Sequence, residues 1–188
     1  VEVRGFPFIY QGNNATSATK TDTELKDIPQ SVSVITEQQI QDLALHGMAD
    51  VLRYVPGANM AQGEGHRDAP VLRGNVSTGD FYTYGIRDDV QYYRDLYNVS
   101  QVEVLKGPNA MIFGRGGSGG VINRAIKQAD GNTIKSLNLQ AGSDSFYRAQ
   151  ADFGQAINDN TAYRLNALFE NADSFRDGVS SELRGIAP

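Results

Sequence analysis

The segment that most constrains what this chain can fold into is Gln101–Lys127, QVEVLKGPNAMIFGRGGSGGVINRAIK. It opens with Val102 and Val104 alternating against Glu103 and Leu105, the period of a strand. Gly107-Pro108 stops that strand, because proline has no N–H for a ladder and fixes its own φ. A short apolar turn, Ala110 to Phe113, leads into five glycines within the seven residues Gly114–Gly120, broken only by Arg115 and Ser118. Val121-Ile122, with Ile126 beyond, reads as a second strand. Two strands are therefore joined through a corner lined with glycine.

Read literally, Gly114-Arg115-Gly116-Gly117-Ser118-Gly119 fits the dinucleotide fingerprint G-x-G-x-x-G. That fingerprint requires a helix opening at the third glycine. Val121, Ile122 and Asn123 follow at once and a polar, glycine-containing stretch comes soon after, so no helix of useful length fits. A phosphate-binding P-loop fails because Gly120 and Val121 stand where Lys and Ser or Thr are required. The corner is then a place where the backbone takes φ > 0 or approaches a neighbour closely.

Upstream, Gln11 to Thr23 is rich in Asn, Thr and Ser and reads as a linker. Asp27-Ile28-Pro29-Gln30 leads into a strand, Ser31–Ile35. Thr36 with Gln39 forms a capping box for a helix from Glu37 to about Leu45, with Ile40, Leu43 and Ala44 on one face. A second short helix, Met48 to Tyr54, ends at Pro56-Gly57. Gln62 to Pro70 reads as an exposed loop before the strand Val71-Leu72-Arg73. Phe81 to Arg87 is a further strand, and Asp88 to Asn98 another polar, aromatic loop. Tyr82 and Tyr84 on that strand are expected to be buried. Short strands and two small helices give a compact α+β domain ending near Lys127.

Beyond Asp130-Gly131-Asn132 the pattern changes. Lys135, Leu137, Leu139 and Ala141 alternate with Ser136, Asn138 and Gln140. Tyr147, Ala149, Ala151 and Phe153 alternate with Arg148, Gln150 and Asp152. Tyr163, Leu165, Ala167 and Phe169 alternate with Arg164, Asn166 and Glu170. Segments of about ten residues with this dyad period suit transmembrane β-strands, and aromatics at their ends suit interfacial girdles. A soluble antiparallel meander with one wet face has the same alternation.

No catalytic constellation stands out, so no enzyme is read. His46 and His66 are the only histidines and lie far apart in sequence. Asp88-Asp89 beside Arg87 reads as a solvated charge cluster. A net charge of −5 argues against a nucleic-acid partner. The absence of cysteine removes disulfides and thiolate metal sites. No apolar run approaches a transmembrane helix.

VEVLKGPNAMIFGRGGSGGVINRAIK resembles the end of the plug domain of TonB-dependent outer-membrane receptors, in particular those for ferric siderophores. The upstream runs LRGNVSTGDFYTYGIRDDVQYYRDLYNVSQVEVLKGP and DIPQSVSVITEQQIQDLALHGMADVLRYVPGA continue the match. The resemblance implies a linker at residues 1–20, and Val1-Glu2-Val3 reads either as the end of a TonB box or as a frayed terminus. It implies an α+β plug at 21–130, a small mixed sheet with two short helices. Residues 131–188 are then the first antiparallel strands of a transmembrane β-barrel, truncated at Pro188.

The implied ligand is a ferric siderophore, carried as cargo with no cofactor or metal held by the chain. The implied partners are TonB and outer-membrane lipid, with the N-terminus periplasmic. Apex loops would offer Arg67, Tyr92, Tyr93 and Arg94 to the ligand. Arg73 and Lys106 correspond to basic residues that pair with barrel-wall glutamates and lock the plug, Lys106 standing where the family often has arginine. The alternatives are a receptor for another scarce nutrient, a soluble β-rich binding domain, and a nucleotide-binding enzyme built on the glycine run.

Overall fold

The computed structural model describes residues 10, 12, 15, 19–21, 23–63, 65–114, 117 and 119–188. The expected TonB box, Val1-Glu2-Val3, lies outside the described residues, as do Arg115, Gly116 and Ser118 of the glycine run. The chain divides into two compact units, residues 1–126 and 127–188.

The first unit is built on a five-stranded mixed sheet of order β1-β7-β8-β5-β6. Its strands are β1 (Ser31–Thr36), β5 (Phe81–Thr83), β6 (Ile86–Arg87), β7 (Val99–Lys106) and β8 (Gly120–Ile126). Only β5 and β8 run parallel; β7 lies antiparallel between β1 and β8. Period-two alternation sends successive side chains to opposite faces. Val102, Val104, Ile122 and Phe81 pack on one side with Ile40, Met48, Val51 and Leu52. Leu105, Val121 and Tyr82 face the other, with Phe113 and Ala15. Ala15 is wholly buried there, although its neighbours read as linker in the sequence.

The first helix, α1 (Glu37–Asp42), is capped as expected, the Thr36 hydroxyl accepting from Gln39 N–H at 3.3 Å. It ends sooner than the sequence suggests. Ala44 has φ +48, which reverses the chain, so Leu43 is exposed and Leu45 takes the core position. The second helix, α2 (Met48–Leu52), starts at Gly47, whose N–H and that of His46 donate to the Asp50 carboxylate.

The segment expected as a loop over 62–70 is largely a hairpin. β2 (Ala58–Gly63) pairs with β3 (Arg67–Leu72), and β4 (Asn75–Val76) adds a third strand. Likewise Phe81 to Arg87 is two strands, turned at Tyr84 (φ +50) and Gly85 (φ +77). Tyr82 is buried, whereas Tyr84 at the turn is only half-buried.

After β7 the chain makes the short helix α3 (Ala110–Phe113) and enters the glycine corner. A Cβ on Gly119 would lie 2.3 Å from the Leu72 carbonyl oxygen, and one on Gly120, at φ +146, 2.3 Å from that of Leu105. Neither approach admits a side chain. The Asp80 carboxylate accepts from Gly117 N–H at 2.7 Å, and the Asn109 amide donates to the Gly107 and Leu105 carbonyls. A strand, β8, begins at Gly120 itself, so the helix a dinucleotide site needs is not there.

The second unit is an antiparallel sheet of order β12-β11-β10-β9, from β9 (Ile134–Ala141), β10 (Tyr147–Asn158), β11 (Thr161–Asp173) and β12 (Ser180–Ala187). Register sets Leu137 against Ala151, Ala151 against Ala167 and Ala167 against Ile186. Leu137, Leu139, Tyr147, Phe153, Phe169 and Ile186 are exposed on that face. On the other, Arg148, Asp152, Asn166 and Glu170 are buried, and Arg148 pairs with Glu170 directly across the strands.

Candidate functional site

The loop between β6 and β7 is folded around Arg94. Its side chain is 0% exposed, which overturns the expectation of a free cation on an exposed loop. The guanidinium lies between two rings, 3.9 Å from the Phe81 centroid and 4.2 Å from that of Tyr92. Its Nε donates to Asp88 Oδ2 at 3.2 Å, and its other nitrogens reach the carbonyl oxygens of Tyr92, Asp88 and Val90 at 3.1, 3.0 and 2.6 Å. A planar fork with several donors is what can satisfy that many carbonyls in one loop.

Asp88 Oδ2 is the shared acceptor of the cluster. It accepts from Arg94, from Arg124 on β8 and from the Tyr92 hydroxyl. Asp88 is therefore an organising carboxylate, its side chain only 18% exposed, where the sequence reads a solvated charge cluster. Arg87 donates to the Tyr82 hydroxyl and the Gly79 carbonyl.

Asp68, the second residue of β3, ties the hairpin to this loop: its Oδ2 accepts from Arg94 N–H at 2.8 Å, and its own N–H donates to Tyr92 O. Burial raises the Asp68 carboxyl above the usual carboxylate value, opposed by the Arg94 N–H and by the charges of Arg94 and Arg124. Among the described residues, Asp68 Oδ1 and Arg124 Nε find no hydrogen-bond partner.

The two loops singled out in the sequence are thus brought together, with unequal roles for their side chains. Arg67 is half-buried and donates to the Gln91 side chain. The Tyr92 ring is 38% exposed over the Arg94 guanidinium. The Tyr93 hydroxyl points at the α2 start, 2.3 Å from where a Gly47 Cβ would lie. Val90 and Gln91 are exposed between them. Asp88, Arg124, Asp68 and Phe81 are the members that sequence reasoning did not select. The one available signal was a pair of arginines within a run of three tyrosines and three aspartates, YGIRDDVQYYRD.

At another edge, Arg73 and Lys106 approach the same turn. Arg73 has φ +51, and its N–H donates to Gly57 O. Lys106 Nζ donates to Pro56 O at 3.2 Å and to Ser33 Oγ at 3.3 Å. Arg73 Nη1 lies 3.4 Å from where a Gly107 Cβ would stand. Among the described residues neither cation has an acidic partner. The described residues also hold no group of three or more His, Asp or Glu placed to bind a metal.

Residues 24–121 match the model of the TonB-dependent receptor plug domain. The chain is 38% identical over 171 residues to the probable TonB-dependent receptor BfrD of Bordetella pertussis, covering 89% of this chain and 23% of that protein. It is 38% identical over 168 residues to the catecholate siderophore receptor Fiu of Escherichia coli, covering 86% of this chain and 22% of Fiu. Among solved structures, the siderophore receptor PiuA from Acinetobacter baumannii superposes with a TM-score of 0.87 at 31% identity, over 94% of this chain and 26% of PiuA. The closed form of the ferric-catecholate import receptor Fiu gives 0.86 at 34% identity, over 94% and 26% of the two chains. The chain spans about a quarter of the length of these relatives.

Proposed function

The chain belongs to the TonB-dependent receptor family through its plug domain, and from that premise we propose that it gates an outer-membrane receptor importing ferric siderophores. The observation that carries the reading is the order of two unlike units: a glycine-cornered mixed-sheet domain, then strands with one apolar exposed face. A buried polar face opposite an exposed aromatic and aliphatic one is the chemistry of a barrel wall in lipid. The relatives are receptors, and the reading asks for transport without a catalytic step. The energy-transducing partner is TonB, acting on the N-terminal segment from the periplasm. The ferric complex is cargo, and neither a resident cofactor nor nucleic acid enters.

Within this reading the ligand-facing surface of the plug is the Tyr92 ring, with Val90, Gln91 and the Arg67 guanidinium beside it. Arg94 holds that surface in place. A flat chelate or catechol face meets an aromatic platform there, and Arg67 supplies positive charge for an anionic complex. Arg73 and Lys106 serve as the lock. Lys106 is a cation held on neutral groups, the Pro56 carbonyl and the Ser33 hydroxyl, and the glutamates the two cations would meet are barrel-wall residues. Lysine makes a weaker, unforked pair than arginine there.

The test is growth of a receptor-deleted strain on a panel of ferric siderophores, with and without the intact gene, in tonB-positive and tonB-negative backgrounds. Gene-dependent growth on at least one siderophore, lost without TonB, is the expected result. Growth that never depends on the gene would overturn the reading.

A further inference from the structure

The start of the second unit carries a cluster that the receptor reading does not use. Asp152 lies on β10 opposite Asn166, and Arg164 on β11 opposite Gly154. With no side chain at Gly154, Arg164 lies across that position, its Cγ 3.5 Å from where a Cβ would be. From there it grips the diagonal Asp152 with both prongs of its fork, Nε to Oδ1 at 2.9 Å and Nη2 to Oδ2 at 2.7 Å.

That bidentate pair is complete in itself. Yet Asp152 Oδ2 also accepts from Lys127 Nζ at 3.0 Å, and Arg164 Nη1 also donates to Gln128 O at 3.2 Å. Lys127 and Gln128 are the first residues of the unit, where the chain arrives from Ile126. The side chains of Lys127, Asp152 and Arg164 are 9%, 11% and 13% exposed, so solvent screens these contacts little. The next residues are stiffened too. The Asp130 carboxylate accepts from Asn132 N–H and its side-chain amide, around Gly131 at φ +86.

We propose that Asp152, presented by Arg164, is the anchor that fixes the plug's C-terminal exit, holding Lys127 and Gln128 so that movement of the plug stops at Lys127. Asp152 acts as a positioning residue and touches no ligand. The claim that the plug moves rests on the receptor reading; the claim that 127–128 is held does not.

Peptide-resolved hydrogen exchange on the full-length receptor, paired with equilibrium binding and uptake of ferric siderophore, tests it. Asp152→Asn and Lys127→Met should each raise exchange across 127–132 on the order of tenfold, while 161–173 stays protected. The double variant should exceed the larger single by less than about twofold, since both changes break one contact. Asp152→Glu should restore much of the protection. Ligand affinity should persist while uptake falls. Exchange of 127–132 unchanged in both single variants would overturn the anchor, as would an equal rise throughout β10 and β11, which would mean general loosening. Raised exchange in a protein that binds no siderophore would support the anchor and count against the receptor reading alone.

Discussion

Replacing Arg94 with alanine separates a ligand-contacting arginine from one that builds the loop. The substitution removes a guanidinium with 0% side-chain exposure, leaving the Tyr92, Asp88 and Val90 carbonyls without their donor. Breaking a buried pair by deleting one partner costs about 3–5 kcal/mol. Stacking on Phe81 and Tyr92 adds about 1–2 kcal/mol at most. These terms overlap, and water entering an opened loop can satisfy the carbonyls, so about 3–5 kcal/mol is the local figure. At about 1.4 kcal/mol per decade, amide protection over residues 88–94 should fall by roughly two to three and a half decades.

Arg94→Lys should recover only part of that loss, because an ammonium cannot stack or span three carbonyls. Arg67→Ala, removing a half-buried side chain on Gln91, should cost about 0–1 kcal/mol. Losing both arginines therefore cannot report on charge contacts with a ligand; Arg67→Ala alone can. Hydrogen exchange of the full-length receptor, read beside its ferric siderophore affinity, is the assay. A change in protection of less than about tenfold for Arg94→Ala would refute the organising role.

Three further outcomes follow from the same geometry. Ala151→Arg, on the apolar face between Leu137 and Ala167, should cost about 2–4 kcal/mol if it sits at mid-bilayer. The same change at Ser136 on the opposite face should cost far less in denaturant unfolding of the folded receptor. Gly119→Ala pushes a methyl onto the Leu72 carbonyl; distortion of about 1–3 kcal/mol should lower outer-membrane receptor levels in immunoblots, and wild-type levels would contradict the close approach. The raised Asp68 carboxyl binds its proton more tightly folded than unfolded. Its contribution favours the fold at low pH and is lost as pH rises from the unfolded value through the higher folded one. Asp68→Asn should flatten that pH dependence in the protection of the Arg94 amide.

The sequence by itself settled whatever depends on local period and local sterics. Alternation at Val102 to Leu105 determined which side chains go to which face of β7, and the same rule separated Leu137, Ala151 and Phe169 from Asp152 and Glu170. The Thr36 cap and the glycine corner were legible because a hydroxyl placed before a helix, or a glycine run between strands, acts within a few residues. The strand β12 was not read: Glu182 and Arg184 fall on the same face as Ile186, so its pattern is mixed. It forms because β11 offers a partner edge, and Arg184 lies over the Phe169 ring.

Tertiary structure alone decided the fate of the charges. Arg67 and Arg94 look alike as loop cations, yet Arg94 is buried because Asp88, the Phe81 ring and three carbonyls converge on it. Asp68 reaches its partner across 26 residues and Arg124 reaches Asp88 across 36. No periodicity encodes such a meeting, which depends on the path of the whole chain. The register of β10 and β11 sets Arg164 diagonal to Asp152, and Lys127 reaches the same carboxylate from 25 residues away along the path of the chain.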